Sequence, residues 1–236
     1  MALPKLNTPK YKLKLPSNGR VVNYRPFLVK EEKMLLIATE TGDQETMLTA
    51  ITDIIKACTD IAEPEKMATF DIEFVFLQIR TKSVGESVEV TVTCEDDGET
   101  EVKTSIPLDE IQVQKTRGHK NQIKLDDTII LTMAYPTIRS FVEMNFGDET
   151  PGVEEMFDLA ASCVQTITDA DQVYDCTDTP KQELLEFFDG MSSGQFKKVQ
   201  EFFESMPKLA HTLTVTNPNT GVENTIQLEG LAAFFA

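Results

Sequence analysis

Histidine is almost missing from this 236-residue chain, which has only His119 and His211. No H-E-x-x-H segment accompanies them, so a zinc-protease helix is excluded. No glycine-rich loop opens onto a predicted helix, which excludes a phosphate cradle of that kind. Cysteine is sparse too: Cys58, Cys94, Cys163 and Cys176 lie scattered without paired spacing, so no disulfide framework is expected. Cys58 and Cys163 fall on apolar faces of predicted helices, where cysteine serves as a small buried hydrophobe. No apolar run approaches the roughly 18 residues of a membrane span. The basic N-terminal stretch lacks the apolar core of a secretory signal. Residence in a cytosol is the expectation.

Positive charge is missing from one long stretch, with no Lys or Arg between Arg139 and Lys181. The whole chain carries 22 basic and 39 acidic side chains, a net charge of −17. Residues 1–35 run the other way, with eight basic residues against Glu31 and Glu32. An acidic body argues against a broad nucleic-acid or anionic-membrane surface. A basic arm on that body suits docking on an acidic neighbour, a second copy of the chain included. The alternative is a solvated tail whose edge lysines guard against aggregation.

At 41% apolar and 26% charged, the chain has the composition of an ordinary soluble protein with a sizeable core. Residues 1–9 contain two prolines and no periodicity, and read as an extended arm. Tyr11–Leu15 alternates strictly, Pro16–Gly19 is a turn, and Arg20–Tyr24 returns as a second strand. From Asp43 the apolar residues Met47, Ile51, Ile54, Ile55 and Cys58 fall at helical spacing. A second helix spans Thr69 to about Lys82, where a strand is the competing reading because Phe70, Ile72, Phe74 and Phe76 also alternate. Short strands at 122–125 and 128–133 flank a turn at Asp126-Asp127. Pro136 suits the start of a helix to about Met144. After a loop at 147–152, Val153, Met156, Phe157, Ala160, Val164 and Ile167 predict an amphipathic helix. Thr179-Pro180-Lys181-Gln182 reads as a capping box for a helix ending at Gly190. Ser192 to Gln195 caps another, with a Phe196, Val199, Phe202, Phe203, Met206 stripe stopped by Pro207.

Two stretches 123 residues apart share one pattern: Val90 to Gly98 and Leu213 to Gly221. Each is a Val/Thr strand, a polar turn closing on glycine, and a second alternating strand, which is the form of a β-hairpin. The turns have the C-x-x-C-G spacing of a zinc knuckle. The four ligand positions are Cys94, Asp97, Asn217 and Thr220, so one thiol remains and no metal is expected. The fold class is therefore α+β: a helical body, two zinc-ribbon-like hairpins at about 87–105 and 211–228 that have lost most ligands, and an N-terminal hairpin arm. With no linker or low-complexity tract in between, residues 1–30 are expected to form the basic arm and hairpin and 31–236 a single α+β domain.

Chemistry is hard to find. His119 sits in a Lys/Arg/Gly loop and reads as solvent-exposed, while His211 opens a strand beside the second hairpin. The carboxylates Glu154, Glu155, Glu183 and Glu186 lie on polar helix faces. Asp169-Ala170-Asp171 with Asp175 and Asp178 lacks the glycine and terminal glutamate of a calcium loop. A residual metal site of Cys94, His119 and His211 is the alternative to no metal. No catalytic, cofactor-binding or metal-binding residue is assigned, no cofactor is expected, and the chain does not read as an enzyme.

The segment Tyr24-Arg25-Pro26-Phe27-Leu28-Val29-Lys30-Glu31-Glu32-Lys33-Met34-Leu35-Leu36 resembles the N-terminal signature of the T4-like bacteriophage baseplate hub subunit family. Leu77 to Glu86, Phe196 to Leu209, and Leu228-Glu229-Gly230-Leu231 with Phe234-Phe235 resemble further blocks in family order. The resemblance implies a structural part of a myovirus contractile-tail baseplate, located in the virion tail, assembled in the host cytoplasm and made late. The alternatives are a transient chaperone of hub assembly, absent from the mature particle, and a tail-borne peptidoglycan hydrolase. Relatives often carry C-x-x-C-G in both hairpins, a zinc-ribbon element from which this chain departs. Partners would be other hub or wedge proteins, or a second copy, with no nucleic acid and no membrane insertion. The expected partner-binding residues are Lys10, Lys12, Lys14, Arg20, Tyr24, Arg25 and Phe27, since arms and edge strands add to neighbouring sheets.

Overall fold

The computed structural model describes residues 7–143, 152–170, 172–230 and 233. The chain forms two compact units, one of residues 1–114 with 208–236 and one of residues 115–207. Both combine helices with small antiparallel sheets, so the protein is α+β.

The first unit opens with strands β1 (Tyr11–Lys14) and β2 (Val21–Tyr24), paired antiparallel with Tyr11 opposite Tyr24. Alternation drives the pairing: Leu13, Leu15, Val22 and Tyr24 are buried, while Lys12, Lys14 and Val21 face out. Its turn is tied down where Ser17 N–H donates to Asp71 Oδ1 at 3.0 Å and the Ser17 hydroxyl donates to Asp71 Oδ2. Helices α1 (Val29–Thr41), α2 (Gln44–Cys58) and α3 (Thr69–Thr81) follow, with a short 3-10 turn at Pro64–Lys66. Asp43 caps α2 by accepting from Thr46 N–H at 2.8 Å. In α3 the helical alternative prevails over the strand, with Ile72, Val75, Phe76 and Ile79 on the buried side.

Two hairpins complete this unit: β3 (Ser87–Thr93) with β4 (Glu101–Pro107), and β10 (Lys208–Thr216) with β11 (Glu223–Glu229). Strand β5 (Gln112–Gln114), which periodicity does not reveal, adds to the free side of β10. Val88, Val90, Val92 and Ile106 of the first hairpin share one core cluster with Leu213, Val215 and Ile226 of the second and with Leu77 of α3. Every second residue of β3 is buried, as a strand with one covered face requires.

The second unit holds a four-stranded antiparallel sheet in sequential order: β6 (Gln122–Lys124), β7 (Ile130–Met133), β8 (Val164–Asp169) and β9 (Gln172–Asp175). Helices α4 (Ile138–Glu143), α5 (Val153–Ser162), α6 (Lys181–Asp189) and α7 (Ser193–Ser205) complete it. Its core joins Leu131, Met133 and Val164 of the sheet to Leu184, Phe188, Val199 and Phe202 of the helices. The aromatic stripe is core, with Phe157 and Phe196 stacked at 4.2 Å.

Three expectations are corrected here. The helix predicted through Ile167 stops at Ser162, and Val164–Asp169 is strand β8. The β-branched run Val164, Thr166, Ile167, Thr168 keeps its helical-looking spacing but pairs with β7 on one side and β9 on the other. The capping box predicted at Thr179 does not form: Pro180 is the N-cap of α6, and Thr179 Oγ1 donates to the Asp175 carbonyl at 3.5 Å. The third correction is His119, which is half-buried. The expected end of α4 at Met144, the loop at 147–151, Asp171, and residues Leu231, Phe234 and Phe235 lie outside the described residues.

Candidate functional site

The two knuckle-shaped turns have the same backbone. Gly98 N–H donates to the Cys94 carbonyl at 2.9 Å, and Gly221 N–H donates to the Asn217 carbonyl at 2.8 Å. Both glycines sit in the left-handed region, at φ 69° and 76°, where a side chain would be strained. Cys94 N–H donates to the Thr100 carbonyl and Asn217 N–H to the Val222 carbonyl, closing each loop.

Hydrogen bonds join the two turns. Asn217, fully buried, donates through Nδ2 to Asp96 Oδ1 at 2.9 Å and to Asp97 Oδ2 at 2.8 Å. Its Oδ1 accepts from the backbone N–H groups of Asn219 and Thr220, so each side of the amide is used. Asn224 grips Asp96 twice, donating to Oδ1 at 2.9 Å and accepting the Asp96 N–H at 2.9 Å. Thr220 Oγ1 donates to Asp96 Oδ2 at 2.5 Å, and Asn219 Nδ2 donates to Thr100 Oγ1 at 2.9 Å. Hydrogen bonds from Thr100 and Asn217 hold the Asp97 carboxyl well below its ordinary range. Those from Asn217, Thr220 and Asn224 do the same for Asp96, against burial and the repulsion of Asp97.

These residues do not fit zinc. An amide NH2, not a cation, bridges the two carboxylates. Burial, with Asp96 and Asp97 nearby, raises the pKa of the Cys94 thiol, which opposes the thiolate that zinc needs. Among the described residues no group of three or more His, Cys, Asp or Glu is placed to hold a metal ion. Asp96 and Asn224 are the partners that ligand spacing misses. Asn224 had a signal, since it occupies an inward position of β11 in step with buried Ile226.

Of the expected partner-binding residues, Lys10, Lys12, Lys14 and Arg20 are exposed. Tyr24, Arg25 and Phe27 are engaged within the first unit. Tyr24 is buried with its ring tilted against that of Tyr11 at 5.5 Å, and Phe27 is buried with its N–H on Ser83 Oγ. Arg25 donates to Glu31 Oε1 at 2.9 Å and to the carbonyls of Pro26 and Ala57. Glu31 is itself buried, and also accepts from Leu28 N–H at 2.7 Å at the start of α1.

His119 lies in the second unit, at an open depression lined by Arg117, Lys120, Lys198, Glu201 and Ser205. Its ring packs against Tyr135 and Phe202 at 5.7 and 5.1 Å. Ser205 Oγ donates to the Glu201 carbonyl and so accepts from His119 Nδ1, which leaves Nε2 the bare, buried and unpartnered nitrogen. Burial lowers its pKa below 6.5. The unfolded chain therefore takes up this proton first on acidification, and stability contributed by neutral His119 is lost as pH falls below 6.5. Urea unfolding between about pH 5 and 7 is expected to show this slope in the wild type and a shallower one in His119→Phe. His211 sits on β10 opposite Leu228. All four cysteines are buried free thiols, Cys58 pushed up by burial to about 11 and Cys163 to about 12. Neither is a nucleophile at neutral pH.

A family model described as T4 bacteriophage base plate protein matches residues 8–236, which is nearly the whole chain and both units. The chain belongs to this family. Membership brings a structural role in a phage tail, among other baseplate proteins. No curated protein and no solved structure matches the chain. No described helix is long and apolar enough to cross a membrane.

Proposed function

We propose that this baseplate-family protein is a structural, non-enzymatic component of the hub of a contractile tail, made late and acting by protein–protein contact while the tail assembles in the host cytoplasm. The family match along 8–236 carries the reading. Two features of the first unit support it. Lys10, Lys12, Lys14 and Arg20 stand exposed on and beside a two-stranded sheet in which β2 is bridged to Thr59 and no strand pairs with the outer side of β1 among the described residues. Such edges accept a strand from a neighbour, and the lysines favour an acidic one. Tyr24, Arg25 and Phe27 anchor the hairpin from behind. The paired turns are the second feature: a zinc-ribbon-like pair of hairpins in which the Asp96, Asp97, Asn217 network stands where metal ligands would stand.

Mass spectrometry of purified particles tests the hub reading against the chaperone reading. The protein is expected in the mature particle, and the K10E/K12E/K14E variant is expected to fold but to be depleted there at least about ten-fold, as a lost electrostatic docking surface would be. Absence of the wild type from particles overturns the hub reading, and full incorporation of the variant overturns the basic docking face.

A further inference from the structure

Helix α1 is turned inside out. It buries Glu31 and Ala38 and presents apolar side chains to solvent. Val29 is 79% exposed, Leu36 60% and Ile37 50%, with Leu28 and Met34 also exposed. Four of the exposed large apolar residues, Val29, Met34, Leu36 and Ile37, thus lie on α1, and Leu28 is its N-cap. Single exposed apolar residues are ordinary, but adjacent ones on one helix side, as Leu36 and Ile37 are, mark an interaction surface.

The order of side chains along that surface identifies the partner. Lys33, Leu36, Ile37 and Glu40 follow at i, i+3, i+4 and i+7, which places them in one stripe. All four are exposed, and neither Lys33 nor Glu40 has an ion-pair partner among the described residues. Read from one end the stripe runs positive, apolar, apolar, negative. Read from the other end it runs negative, apolar, apolar, positive. It is therefore complementary to itself when two copies lie antiparallel. Leu36 of one copy then faces Ile37 of the other at the centre, and Lys33 faces Glu40 on both sides. A two-fold axis through the Leu36/Ile37 midpoint makes every contact twice, as an isologous interface requires. Antiparallel helix dipoles add to the same arrangement.

We infer that α1 is a self-association surface, through which two copies of this chain pair antiparallel about Leu36 and Ile37. One thirteen-residue helix per copy makes this a small, reversible interface, of the class used in transient assembly. The inference does not depend on the hub reading, because the pairing is a property of the purified chain in solution, whereas the hub reading is tested in the particle.

Sedimentation equilibrium on the full chain across a concentration series tests it. The wild type is expected to be in monomer–dimer equilibrium. Lys33→Glu puts two like-charged pairs into the dimer, and Glu40→Lys does the same with the opposite sign. Each is expected to weaken self-pairing about ten-fold. Mixing the two single variants is expected to restore a dimer, now a heterodimer, because one stripe is negative at both ends and the other positive. The double swap K33E/E40K is expected to pair with itself as the wild type does. Leu36→Asp is expected to weaken the dimer about 100-fold or more, since the symmetry removes two central contacts. These positions are exposed, so the variants keep the fold, and an unchanged circular dichroism spectrum confirms it. A wild type that stays monomeric throughout overturns the inference, and so does a dimer indifferent to Leu36→Asp. Failure of the two single variants to pair with each other overturns the antiparallel register.

Discussion

Replacing Asn217 by aspartate is expected to destabilise the first unit more than any neutral change at the same place. The Asn217 amide is fully buried and donates to both Asp96 and Asp97. Alanine at this position removes both donors and leaves two carboxylates facing each other, which is expected to cost about 2–4 kcal/mol. Aspartate does worse: it supplies no donor and sets a third negative charge against the other two. Urea unfolding of N217A and N217D at neutral pH measures both, and equal stability of the two would show that charge is not what the amide balances. The pH dependence follows from the same contacts. Asp96 and Asp97 have folded pKa values below the ordinary 3.8, so their contribution is complete above that pH and is lost as pH falls through the lower folded values. N217A is expected to flatten this acid limb.

Glu31→Ala is the second change with a large expected effect. Burial disfavours the Glu31 carboxylate, but hydrogen bonds from Arg25, Leu28 N–H and Lys30 outweigh it, so its folded pKa lies below 4.5. The pair with Arg25 is 2.9 Å apart, and only 2% of the Glu31 side chain is exposed. Removing one partner of such a pair leaves the other charge uncompensated, at about 3 kcal/mol. The change also removes the acceptor for Leu28 N–H at the first turn of α1. A double-mutant cycle with Arg25→Ala reads the coupling, which is expected to be about 1–3 kcal/mol because the two residues share one contact. Additive losses would assign the two residues independent roles. Stability from Glu31 is complete above pH 4.5 and lost below it, so the Glu31→Ala variant is expected to lack that part of the acid transition.

The same pair explains why α1 is inverted. A helix that packs through a buried carboxylate and an alanine leaves Val29, Met34, Leu36 and Ile37 exposed, and Leu36 and Ile37 form the centre of the proposed stripe. No apolar periodicity announces this helix as a surface element, because its buried side is the less hydrophobic one.

Local pattern determined much of this protein by itself. The first hairpin, α2, α3, the two long hairpins, α7 and its Ser192 cap were all readable, because alternation, helical spacing and side-chain capping act between residues close in sequence. The turns were readable to the glycine, since only a left-handed position requires one there. What local pattern left open is what lies across those turns. Asp96 and Asn224 are 128 residues apart, and nothing near either one says that the amide and the carboxylate meet. Strands β5, β8 and β9 were hidden for a related reason. Each is a short segment whose backbone groups are satisfied by a distant or misread neighbour, so pairing, not propensity, makes it a strand. His119 shows the same limit, because a polar loop gives no sign that two aromatic rings close on its imidazole. The sequence alone therefore determined the first hairpin, α2, α3, α7 and the two long hairpins with their paired turns, and the acidic body with its basic start. Only the tertiary structure decided that hydrogen bonds to Asn217 join those turns, and that α1 faces outward, because both depend on desolvation and contact between residues that the chain brings together only on folding.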